Sequence, residues 1–223
     1  MTDDQAERRV EICKQLLQNP LDDRFWKKII TCDEKWFFFY NPDKRGQGVP
    51  IDQEAEPVVK QSRFGFKVML CVWWNFEGVI YFELVENGCA INADIYTEQL
   101  DRVYAIIKGQ YPGLVNREQL LLLHGGASPH RAILTQDKIE ELYGLELLLH
   151  PAYSPDLAPS DYCLFRSMST FLRGRRFDKI EDIEKACRQY FASKSKEWYR
   201  GEISKLAERW SKVIHSRGQY FKE

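Results

Sequence analysis

Two aspartates stand in settings that could do chemistry. Asp161 closes a stiff stretch, Tyr153-Ser-Pro-Asp-Leu-Ala-Pro-Ser-Asp-Tyr-Cys-Leu-Phe165, in which Pro155 and Pro159 precede a serine, an acid and an apolar run. Ser160 reads as a helix N-cap and Asp161 as an acid of the first turn, where the helix dipole favours negative charge. Asp33 lies far upstream, inside the aromatic run Ile29-Ile-Thr-Cys-Asp-Glu-Lys-Trp-Phe-Phe-Phe-Tyr40. Carboxylates brought together can hold two divalent cations about 3.5–4 Å apart, which activate a water or hydroxyl and stabilise the leaving oxygen of a phosphodiester. Magnesium suits such a site, since it takes oxygen ligands and only a few of them from protein. Spacing alone leaves a plainer reading open: a strand acid paired with a neighbouring Lys or Arg, and a helix-start residue.

The elements around these acids follow from periodicity. Residues 6–19 and Asp22–Lys28 have helical spacing, and 29–40 reads as a buried strand. Side chains alternate along a strand, so Asp33 and Glu34 point to opposite faces and only one of them serves a given site. Val68–Trp74 and Val79–Val85 form a hairpin around Asn75-Phe-Glu-Gly78. A helix from Asn92 to Gln110, a strand Leu120–Leu123, a helix over 131–143 and a strand Leu145–Leu149 follow. The remainder is helical over Ser160–Arg173, Ile180–Lys194 and Glu197–Val213. This order predicts an α/β domain with a mixed five-stranded sheet flanked by helices and a C-terminal helical segment. Residues 1–28 read as a helical lead-in and 29–223 as the domain itself.

The stretch His124-Gly-Gly-Ala-Ser-Pro-His130, after the fourth strand, decides whether the two acids have a third partner. It supplies no acid. Its histidines read as structural or DNA-facing rather than as ligands, and its adjacent glycines could also form a backbone nest for a phosphate.

Five stretches together carry a resemblance: Thr31-Cys-Asp-Glu-Lys-Trp36, Val72-Trp-Trp74, Tyr153–Tyr162, Arg176-Phe177 and Gly218-Gln-Tyr-Phe221. The chain resembles the catalytic domain of mariner-type transposases, of the Tc1/mariner superfamily, over nearly its whole length. The resemblance implies a ribonuclease-H-like fold and a triad of aspartates binding Mg²⁺ or Mn²⁺, with Asp33 first and Asp161 third. The family's second acid lies in a motif His-Asp-Asn-Ala-x-Pro-His, and here Gly125 stands at its position and Gly126 at that of the asparagine. Thirty-five residues separate Gly125 from Asp161, one more than the family pattern. Losing a metal-binding carboxylate should cost more than the 10–100-fold typical of changes around the ligands. The family's paired helix-turn-helix units do not precede this domain, so sequence-specific recognition of transposon ends is not expected from it. The 41–66 excursion, with Pro42, Pro50 and Pro57 and charges of both signs, looks like the clamp loop by which family members reach a partner subunit.

Composition narrows the functions further. At 223 residues with 44% hydrophobic content the chain can bury a full core. It has no apolar run of about 18 residues to cross a membrane. Six cysteines (13, 32, 71, 89, 163, 187) lack any C-x-x-C pair and read as reduced, buried thiols. The net charge is −1, so DNA contact must come from local patches. Arg63, Lys67, His130, Arg166, Arg173, Arg175 and Arg176 are the candidates. The expectation is a domesticated, nuclease-deficient nuclear module that binds DNA weakly or a protein partner, as a homodimer through the 41–66 loop. The alternatives are a working Mg²⁺-dependent strand-cleaving and strand-joining enzyme, and a structural scaffold in a nuclear complex.

Overall fold

The computed structural model describes residues 1–42, 65–86, 90–117 and 119–221. Most of the 41–66 excursion, Arg63 and Cys89 fall outside them, and so does the dimer contact expected of that loop. The sheet has five strands in the order β3-β2-β1-β4-β5. The strands are β1 (Ile29–Phe38), β2 (Lys67–Asn75), β3 (Gly78–Val85), β4 (Leu120–Leu123) and β5 (Leu145–Leu147). β1 pairs antiparallel with β2 and parallel with β4, so the mixed sheet expected from the sequence is present. At the β2–β3 turn the Asn75 side chain accepts from the backbone amides of Glu77 (2.8 Å) and Gly78 (3.2 Å).

Period-two alternation divides the sheet into two apolar faces. Phe37, Leu70, Val72 and Trp74 pack on one face against Leu164, Phe165 and Met168 and against α8 (Ile180–Ala192) and α9 (Lys196–His215), described with their neighbours below. Ile30, Cys32, Cys71 and Trp73 face the other way, onto Tyr96, Leu100, Val103 and Ile107 of α3 (Ala93–Gln110). Both α1 (Asp3–Leu16), closed by a Thr2–Gln5 capping box, and α2 (Asp23–Lys28), capped by Asp22, join the first of these layers. The short α4 (Pro112–Arg117) was not foreseen. The helix expected over 131–143 is α6 (Ile133–Glu141), and a short α5 (Ser128–Arg131), not foreseen, precedes it across the extended Ala132. A turn Ser160–Phe165 then leads into α7 (Arg166–Phe171). β5 also ends two residues early.

One buried cation ties the ends of the chain to the Tyr153 loop. Arg9 of α1 is fully buried and forks onto Asp156, with Nη1–Oδ1 at 2.8 Å and Nη2–Oδ2 at 2.6 Å. Its Nε donates to the Gly218 carbonyl (2.9 Å), its Nη1 also reaches Ser154 Oγ (2.5 Å), and Tyr220 lies over the guanidinium at 5.0 Å. Gly218 must be glycine: its φ is +82°, and a Cβ there would sit 2.2 Å from the Ala6 carbonyl oxygen. Two stretches that looked like separate signatures, Tyr153–Tyr162 and Gly218–Phe221, are thus one clamp. Removing one partner of a buried ion pair strands the other charge. Arg9→Ala is therefore expected to lower the unfolding free energy by about 3–5 kcal/mol in urea titration. The Arg9→Met/Asp156→Leu double variant should lose clearly less, since it leaves no lone charge.

Candidate active-site cleft

The parallel pairing of β1 and β4 sets the geometry. Thr31 lies level with Leu123, the last residue of β4, so Asp33 and Gly125 follow two residues on from paired positions. Asp33, His124, Gly125, Gly126, His150 and Asp161 line one cleft of about 180 Å³. Asp161 enters it from the turn Ser160–Phe165, a wide π-helical turn of a kind often found at functional sites. Ser160 is not the N-cap expected of it. Pro159 takes that position, and the buried Ser160 hydroxyl accepts from Trp74 Nε1 at 3.0 Å. The Val72-Trp-Trp74 stretch thereby holds the residue next to Asp161 from across the sheet.

Asp33 and Asp161 meet in this cleft. Burial pushes Asp33 well above the usual carboxylate range, and the neighbouring Asp161 and Glu34 charges push it further. Burial also raises Asp161, against the Lys35 ammonium and the hydrogen bond to Asp33. Like charges brought together in a buried cleft oppose each other's ionisation. Among the described residues no three His, Cys, Asp or Glu side chains are arranged to hold a metal ion. The donor set that is present falls one carboxylate short of a clamp for two cations.

The other face of β1 fixes the backbone beside the missing acid. Glu34 accepts from His130 Nε2 at 3.2 Å, and His130 Nδ1 donates to the Gly125 carbonyl at 2.9 Å. Burial opposes a charge on His130, but the Glu34 hydrogen bond and charge outweigh it and raise its pKa, so the ring is an imidazolium donating at both nitrogens. His124 stacks on it at 4.8 Å and stays neutral, since burial and the His130 charge push it down to about 3. The Tyr96 hydroxyl hydrogen-bonds His124 Nδ1 at 2.8 Å and meets Cys32 Sγ at 3.2 Å. His130 is 3% exposed, so the expectation that it faces DNA fails, because both its donors are spent inside the protein. At Gly125 and Gly126 an added Cβ would meet no atom within 4 Å, and neither has a positive φ. Nothing in the local backbone demands glycine there.

The basic candidates divide into two groups. The segment 174–177 pairs with 39–41, through Gly174 N to Asn41 O (2.7 Å), Asn41 N to Arg175 O (3.1 Å) and Phe177 N to Phe39 O (2.8 Å). This brings Arg175 and Arg176 near Lys67, which opposes Phe38. Arg173 is exposed on the turn after α7. Arg166 lies apart, in a groove with Lys205 and Lys212 of α9 that also holds Glu202 and Glu208.

The chain is 42% identical to the mariner Mos1 transposase of Drosophila mauritiana over 217 residues, 97% of this chain and 63% of the relative. The structure of the Mos1 transposase catalytic domain with Raltegravir and Mg superposes with a TM-score of 0.83 at 38% identity, covering 100% of this chain and 99% of that one. The chain belongs to the mariner transposase family. The family described as "Transposase (partial DDE domain)" matches residues 38–117, and the ribonuclease-H-like fold expected from the resemblance is borne out. The human histone-lysine N-methyltransferase SETMAR is 34% identical over 221 residues, 99% of this chain and 32% of that protein. A Mos1 paired-end complex with the left transposon end matches with a TM-score of 0.91 at 42% identity, over 65% of that chain. This mariner domain thus spans less than two thirds of the curated relatives it matches.

Sequence reasoning missed Arg9, Tyr96 and His150. No spacing distinguishes Arg9 from a solvated helix residue, and Tyr96 and His150 act only through distant partners. Burial holds His150 down to about 4, with Asp156 opposing and Arg9 adding to the effect. Both His124 and His150 lie below their ordinary value of 6.5, so between about pH 6.5 and pH 4 the unfolded chain takes up protons that the folded one refuses. Folding stability is expected to fall as pH falls through that window, the raised Asp33–Asp161 pair offsetting part of the loss. His150→Gln should flatten the decline in urea titrations stepped from about pH 7 to about pH 4.5.

Proposed function

We propose that this mariner domain is a DNA-binding module descended from a transposase and deficient in strand cleavage. One observation carries the reading: the backbone at the second acid position is held by His130 and Glu34, with open space for a side chain and no carboxylate in it. Asp33 and Asp161 are the remaining ligands of the ancestral triad. When bound, Mg²⁺ or Mn²⁺ would supply an activated oxygen nucleophile and stabilise the departing oxygen of the phosphodiester. The residues here do not complete a site for two such ions.

The Mos1 transposon-end complex supports DNA as the partner, and Lys67, Arg173, Arg175 and Arg176 are the cations offered to its backbone. Binding of this kind is electrostatic, weak and indifferent to sequence. A nuclear location and a homodimer through the 41–66 loop belong to the same reading. The match to SETMAR, whose name denotes a different enzyme, supports a domain that works in settings other than transposition.

Nicking of supercoiled plasmid in Mg²⁺ or Mn²⁺ tests the proposal. The native chain should leave the plasmid intact, and Gly125→Asp/Gly126→Asn should gain cutting, because a Cβ at either position meets no neighbouring atom. Native cutting that Asp33→Ala abolishes would establish the working enzyme and overturn the deficient reading.

A further inference from the structure

β1 carries a second feature on the face opposite Asp33. Trp36 and Phe38, two residues apart on it, share one face at an interval of about 6.6–6.8 Å, and Tyr40 follows beyond the strand's end, after a bend at Phe39, where it bridges to Arg176. Trp36 and Phe38 belong to neither apolar core layer among the described residues, and Tyr40 is 49% exposed. Large aromatics on the central strand of a sheet are ordinarily covered. Here β1 runs on past the last β4 pair, and neither Trp36 nor Phe38 is among the residues packed with Tyr96, Leu100, Val103 and Ile107.

Cations flank this row on both sides. Lys67 opposes Phe38 across the sheet and sets its ammonium 4.4 Å from the Trp36 ring centroid. Arg176 bridges to Tyr40 from the other side, with its guanidinium 4.9 Å from that ring. Alternating aromatics under two cations match what an extended single strand offers: bases with π-faces and a phosphate on each nucleotide. Duplex DNA, with its bases already stacked, could use the cations but not the rings.

We propose that Trp36, Phe38 and Tyr40, with Lys67 and Arg176, form a stacking platform for single-stranded DNA. This rests on the DNA-binding reading above and goes beyond it, since it assigns the form of the DNA and a surface on the opposite sheet face from the cleft. Base–aromatic stacking tolerates any sequence, in keeping with a module that does not read one.

Fluorescence anisotropy of the whole chain with labelled oligothymidine and with a duplex of random sequence tests it. Tyr40→Ala should weaken binding of the single strand by about tenfold or more, the scale of one lost stack, while duplex affinity and thermal midpoint hold. Oligothymidine should also quench tryptophan emission in the native chain, and Trp36→Phe should remove that quenching while keeping the affinity within a few-fold. Equal losses for single strand and duplex on Tyr40→Ala would reduce the platform to a backbone contact and overturn the inference. Duplex binding with no binding of the single strand would overturn it and leave the DNA-binding reading standing. No binding of either would end both.

Discussion

A guanidinium without water around it organises this molecule. Arg9 is buried, and its donors reach Asp156, Ser154 and the Gly218 carbonyl. Such a charge is tolerable in an interior only when every donor finds an oxygen, which makes its surroundings strict. The loop that leads to Asp161 therefore cannot drift independently of α1 or of the C-terminal turn. Arg209 adds a second stake, donating to the Asp156 carbonyl at 2.9 Å while lying 3.6 Å from the Tyr162 ring centroid. The position of one acid in the cleft thus depends on contacts made more than a hundred residues away in sequence.

β1 does the complementary work from the middle of the sheet. Its alternation sends Asp33 into the cleft and Glu34 to the far side, where the carboxylate holds the His130 imidazolium and through it the Gly125 carbonyl. Adjacent acids in one strand thereby have unrelated tasks: one faces Asp161, the other fixes the loop that would present a third ligand. Further along, the same alternation leaves Trp36 and Phe38 on the α3 side of the sheet but outside the apolar layer that α3 packs against. A single strand thus determines the cleft, its supporting hydrogen bonds and a separate surface.

Much of this was legible in the sequence because it rests on local pattern. The order of strands, the Asn75 turn and the opposition of Asp33 and Glu34 all follow from periodicity and turn chemistry. What periodicity could not supply was long-range pairing. Ser160 has the composition of an N-cap, yet tertiary contact won: the Trp74 indole takes its hydroxyl, and the helix opens as a π turn. His130 looked surface-facing because it follows a Gly-Gly-Ala-Ser-Pro loop, but Glu34, ninety-six residues earlier, draws it inside. The arginines 166–176 read as one patch along a helix, whereas the end of α7 turns Arg175 and Arg176 toward the tip of β1 and leaves Arg166 beside α9.

The electrostatics of the cleft bear on why a glycine is tolerated at position 125. Burial already raises both Asp33 and Asp161, and the Asp161 charge raises Asp33 further. A third carboxylate at position 125 would add like-charge repulsion that only bound cations relieve. A glycine in that place removes the repulsion at no steric cost, since its φ is ordinary and the space beside it is open. On the proposed reading, selection for cleavage would have to hold an acid there against folding stability, and without that selection the fold gains by losing it. The hydrogen bonds from His130 need no such selection. They satisfy a buried imidazolium and the strand-end backbone in every state of the cleft, so the frame persists around a position from which the metal-binding group has gone.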